Sequence, residues 1–93
     1  MSEYVTIEVE PGEHPDIAEL VVNQLLATHG VEQYACPDEG DLGSPLAQML
    51  FAAVDGIDQL TIHEDCLIIR RRPDQPWEFI IDEVRDALRD WYL

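Results

Sequence analysis

His63 and Cys66 are the side chains whose types and spacing come nearest to metal chemistry. They flank Glu64-Asp65. If those two residues form a tight turn, His63 and Cys66 oppose each other across a hairpin, with Cβ atoms about 4.5–5.5 Å apart. An imidazole and a thiolate so placed make half of a zinc site, and a tetrahedral site needs about four ligands. Cys36 is the candidate third ligand, while His14 and His29 lie in other segments without evident convergence. Cys36 and Cys66 match no Cys-x-x-Cys spacing, and free cysteine is among the most buried residue types. Glu-Asp is also a poor type I′ pair, so a longer loop with a different pairing stays open. A small metal-binding domain using His63, Cys66 and Cys36 is the alternative reading, and no metal is assigned.

Arg70-Arg71-Arg72 is the only basic cluster. Guanidinium forks suit a phosphate or a partner carboxylate. Arginines at a strand end can equally pair with nearby acids and guard an edge. For catalysis the chain offers little. Its histidines fall in different segments, and it has no Gly-rich phosphate loop, nucleophile elbow or His-Glu-x-x-His. The expectation is a non-enzyme without a cofactor.

These side chains need elements to position them. Tyr4 to Glu10 alternates with period two, placing Val5, Ile7 and Val9 on one side of a half-buried strand. Asp16 with Glu19 reads as a capping box, and Ile17, Leu20, Val21 and Leu25 follow as a helical stripe. The spacing predicts a helix over Ile17–His29, with Gly30 as its stop. Val31–Cys36 reads as a short strand and Pro37–Gly43 as an acidic loop. Ser44-Pro45 opens a helix through Val54, Ser as N-cap and Pro at the first position. Ile57–His63 and Cys66–Arg71 read as paired strands. Asp74 or Gln75 caps the last helix, with Pro76 in its first turn. Trp77, Ile80, Ile81, Val84, Ala87, Leu88 and Trp91 recur at spacings of three and four. The predicted architecture is α+β: a two-layer sandwich in the order β-α-β-α-β-β-α, with a mixed sheet of about four strands backed by three helices.

The Ser44–Val54 helix is apolar nearly all round. One face suffices for a core, so the surplus around Met49 and Phe51 is a candidate patch for a partner. The structural alternative is a central helix buried by its neighbours.

The 93 residues form one domain, 1–93, given domains of about 100–200 residues. Twenty acids against five arginines and no lysine leave a net charge of −15. Such a surface repels nucleic acid and anionic membranes, and it repels copies of itself, so a monomer is expected. Residues 1–45 hold half of the acids and none of the arginines. The acidity fits either a docking face for a basic partner or adaptation to a salty cell interior, and its even spread favours the second. Met1-Ser2-Glu3 offers no positive n-region and no apolar run follows. The longest uncharged apolar stretch, Leu42–Val54, is too short to span a bilayer. A cytoplasmic address without disulfides is expected.

The ordered set Gly43-Ser44-Pro45-Leu46-Ala47-Gln48-Met49-Leu50-Phe51, then Gly56-Ile57-Asp58-Gln59-Leu60, Asp65 at a hairpin turn and Trp77 leading the final helix resembles the N-terminal domain of Nfu-type (NifU-like) iron–sulfur scaffold proteins. Glu32–Glu39 is similar to the family's short strand and Pro-acidic loop. The resemblance spans residues 31–92. The family's Thr-Pro-Asn-Pro-Asn-like opening is not found in residues 1–10, and Asp16–His29 reads as more helical than the family's loop. Full-length relatives carry a second domain whose Cys-x-x-Cys holds the cluster, a motif this sequence lacks. The resemblance thus implies a scaffold or adaptor that contacts an iron–sulfur assembly factor or client apoprotein and does not hold the cluster itself. Candidate contacts are Phe51, Met49, Arg70, Arg71 and Arg72.

Overall fold

The structure, a computed structural model, describes residues 5–26 and 30–92. The expected strand start at Tyr4, the helix end at His29 and the possible ligand His29 lie outside the described residues. Five strands form one sheet: β1 (Ile7–Pro11), β2 (Ile17–Val22), β3 (Glu32–Tyr34), β4 (Ile57–His63) and β5 (Cys66–Arg71). Among the described residues three helices accompany them: α1 (Pro37–Asp41), α2 (Pro45–Ala53) and α3 (Trp77–Trp91). The sheet order is β1-β2-β5-β4-β3, and every neighbouring pair is antiparallel.

Three expectations are corrected. The predicted helix at Ile17 is strand β2, so the sheet has five strands and is antiparallel, not mixed, and the element order is β-β-β-α-α-β-β-α. The segment Ile17-Ala18-Glu19-Leu20-Val21-Val22 carries apolar residues in both phases of a two-residue repeat, which also satisfies a helical stripe. Tertiary context decides. Ala18, Leu20 and Val22 face the core while Glu19 does not, and β2 is hydrogen-bonded on both sides, to β1 and β5. A parallel pairing needs a crossover helix, and with β2 extended there is none between the first two strands. The second correction is Pro37–Gly43, whose first five residues form α1. Pro37 starts it and Asp38 and Glu39 occupy its first turn, where the helix dipole favours acids. The last helix also begins one step later than expected. Pro76 is its N-cap residue and makes no side-chain cap bond.

Ser44 caps α2 as expected, its Oγ accepting from the Ala47 amide at 3.2 Å. The Glu64-Asp65 turn is tight, with Glu64 at φ 52 in the left-handed region. The Val22 and Leu26 amides hold that turn by donating to the Asp65 and Glu64 carbonyls at 2.8 and 2.7 Å.

Ala18, Leu20, Leu60, Ile62, Leu67 and Ile69 line one face of the sheet and are buried against Leu50 of α2 and Ile80, Val84 and Leu88 of α3. The cross-strand register puts Glu8, Glu10, Ile17, Glu19, Val21, Cys66, Ile68, Arg70, Thr61 and His63 on the opposite face. No element among the described residues covers that face, so one side of the sheet stays open, as antiparallel sheets permit.

Candidate protein interface

The expected contacts divide between the two faces. Phe51 and Met49 lie on α2. Phe51 is half-buried, and its ring meets Tyr34 edge-on at 6.2 Å and 86°. A Cβ on Gly40 would overlap the Phe51 ring, so α1 lies directly on it. Phe51 is thus a packing residue between α1, β3 and α2. Met49 is also half-buried, and with Ala53, Ala87, Asp90 and Trp91 it lines a shallow cavity of 270 Å³ between α2 and α3. The fully buried side of α2 is Leu46, Ala47 and Leu50. Most of the apolar surplus seen in the sequence is absorbed by the core.

A polar cluster seats the start of α2. Glu32 Oε1 accepts from Tyr34 Oη and from Ser44 Oγ, each at 2.6 Å. The Ser44 amide donates to Tyr34 Oη at 3.2 Å. Charge-assisted bonds of this length are among the stronger ones. They fix β3 to the α2 N-terminus and leave the Ser44 hydroxyl occupied as a cap.

The three arginines separate. Arg71 is held inside the fold, its Nε donating to Asp16 Oδ1 at 3.1 Å and its Nη1 to the Gln75 carbonyl at 2.8 Å. Arg70 points to the open face, its Cα opposite Ile17 and Gln59. Arg72 is exposed beyond the strand, with its amide donating to the Gly56 carbonyl at 2.7 Å.

His63 and Cys66 are directly opposed across the β4–β5 turn. Cys36 lies elsewhere: it follows Tyr34, which pairs with Leu60, and so sits toward the opposite end of β4 from His63. Among the described residues no group of three or more His, Cys, Asp or Glu could hold a metal ion. The Cys66 thiol is pushed up to about 11 by burial, then by its bond to Asp65 and the negative charge of Asp65, Glu19 and Glu64. In the absence of a metal it is a protonated thiol at neutral pH and a poor nucleophile.

The open face is the surface that sequence reasoning missed. It carries a cleft of 440 Å³ lined by Glu10, Pro11, Gly12, Glu13, Ile17, Glu19 and Ile68. Reading residues 17–29 as a helix concealed it. The signal was the period-two run Ile17, Glu19, Val21 beside Glu8 and Glu10.

Comparisons with known proteins follow the same lines. The family described as "Scaffold protein Nfu/NifU N terminal" matches residues 7–93. The fold is similar to the solution structure of a NifU-like protein from Saccharomyces cerevisiae, with a TM-score of 0.76 and 23% identity over 94% of this chain and 77% of that one. It is also similar to the crystal structure of protein SAV1430 from Staphylococcus aureus, with a TM-score of 0.68 and 12% identity over 92% of this chain and 99% of that one. Among curated proteins no sequence match is found.

Proposed function

Because the chain belongs to the Nfu/NifU N-terminal scaffold family, we propose that it serves iron–sulfur cluster assembly or delivery as a non-enzymatic adaptor. In this reading it works by protein–protein contact with an assembly factor or a client apoprotein and does not hold the cluster itself. The observation that carries the proposal is the family match over residues 7–93. Three features support it. The cysteines are unpaired and separate. Cys66 keeps its proton at neutral pH. The clefts are shallow and open, as suits a contact surface rather than a reaction chamber.

The same reading takes residues 1–93 as a single, monomeric, cytoplasmic domain. Its charge of −15 opposes self-association. No helix among the described residues is long and apolar enough to cross a membrane.

The test is anaerobic affinity capture of the tagged chain from its own cells, with mass spectrometry. Enrichment of cluster-assembly factors or cluster-accepting apoproteins is expected, and recovery of none at any ionic strength overturns the proposal. Reconstitution of the purified chain with iron and sulfide should leave no visible absorption after desalting, and a stable cluster would refute the claim that it holds none. The alternative, a metal domain on His63 and Cys66, draws on their direct opposition. Zinc calorimetry decides it, since a site gives heat and a bare hairpin gives none.

A further inference from the structure

The open face of the sheet has a chemistry of its own. Glu10 on β1 and Glu19 on β2 are direct cross-strand partners. Like charges directly opposite each other destabilise a sheet. No ion pair or hydrogen bond to either carboxylate is made among the described residues. Glu19 is opposite Ile68 on its other side, and Ile17 flanks Glu19 on the same face. Ile68 is 37% exposed. The cleft is thus lined by apolar Ile17 and Ile68, by the paired Glu10 and Glu19, and by Glu13. Arg70, opposite Ile17, marks where the acidic patch ends.

We propose that this cleft docks a basic segment of a partner protein, which seats one apolar side chain against Ile17 and Ile68 and sets lysine or arginine on Glu10 and Glu19. The inference deepens the adaptor reading and rests on it for the statement that the partner is a protein. Charge complementarity selects the occupant. A second copy would bring another −15 to the same place, and nucleic acid is repelled, whereas a cation relieves the Glu10–Glu19 repulsion. Apolar contact supplies the part of the affinity that salt does not screen.

The probe is an end-capped octapeptide of alternating lysine and valine, added to the ¹⁵N-labelled chain and followed by amide chemical shifts. Shifts are expected at Glu10, Ile17, Glu19 and Ile68, and the peptide with glutamate in place of lysine should cause none. The double variant Glu10→Gln/Glu19→Gln, which removes a repulsion and so stays folded, should bind about tenfold more weakly. Ile68→Thr keeps a strand-forming residue and should also weaken binding. No binding, shifts spread over the acids of α3, or equal affinity in the double variant would overturn the proposal. So would a dimer that protects these amides. The two readings fail separately. If the double variant captures the same assembly proteins as the parent, this cleft is refuted and the adaptor reading stands. If the parent captures none yet binds the peptide here, the cleft stands and the assembly role falls.

Discussion

The guanidinium of Arg71 lies over the ring of Trp77, 5.6 Å from its centroid. The same group reaches Asp16 at 3.1 Å, and Trp77 Nε1 donates to the Pro15 carbonyl at 2.8 Å. Residues 15, 16, 71 and 77 thus join the β1–β2 turn to the end of β5 and the start of α3. Within the basic run, this arginine is a clasp, and its neighbours are not.

Arg71→Lys should therefore destabilise the fold by about 1–3 kcal/mol, because lysine keeps the charge but loses the planar fork and the stacking. Arg70→Lys and Arg72→Lys should stay within about 0.5 kcal/mol. Urea unfolding of the three variants checks this, and a double-mutant cycle with Asp16→Asn isolates the ion pair.

Gly40→Ala reverses the usual helix rule. Alanine normally stabilises a helix interior over glycine by about 1 kcal/mol. Here a Cβ would overlap the Phe51 ring in a packed contact. Destabilisation of about 1–3 kcal/mol is expected. Adding Phe51→Leu should recover part of it, and a loss undiminished in the double variant would mean that the clash is not with Phe51.

Ser44→Ala removes both the α2 cap and a hydroxyl held by Glu32. A loss of about 1–2 kcal/mol is expected. Ser44→Asp keeps an acceptor for the cap but sets a second carboxylate beside Glu32, so it should rescue poorly at neutral pH and better in acid. Thermal melts across pH would show this.

Cys66 makes alkaline pH destabilising. Its folded value of about 11 lies above the ordinary 9.0, so the native state holds the proton more tightly. That contribution is fully present below the unfolded value and is lost as pH rises through the folded one. Alkylation by iodoacetamide should be slow at neutral pH and quicken only toward the folded value. Cys66→Ser should flatten the alkaline loss of stability.

The acidity predicts a salt response. If it reflects life in concentrated salt, the melting temperature should climb as KCl rises into the molar range, where screening reaches about 3 Å. A flat or falling curve would instead assign the acids to partner binding.

Much of the fold was legible from local rules. The Ser44-Pro45 start, the β4–β5 hairpin and the α3 stripe each follow from a single dominant signal, and Ile80, Val84 and Leu88 are buried as the stripe requires. The cross-strand meeting of His63 and Cys66 was legible only as one of two options, since Glu64-Asp65 suits a two-residue turn poorly, and the left-handed backbone at Glu64 is what closes it. α1 was missed because Gly40 and the surrounding acids read as a loop, while the reason for that glycine is a ring contributed by another helix.

By itself the sequence determined most of the apolar periods, the Ser44 cap, the net charge and the family. It did not determine β2, because Ile17–Val22 satisfies both periods and only hydrogen-bonding to β1 and β5 selects the extended one. With that strand came the open face, the facing Glu10 and Glu19, and the separation of Arg71 from Arg70 and Arg72. All of these depend on which distant backbone lies alongside, and a pairing between strands is a property of the assembled sheet rather than of any one segment.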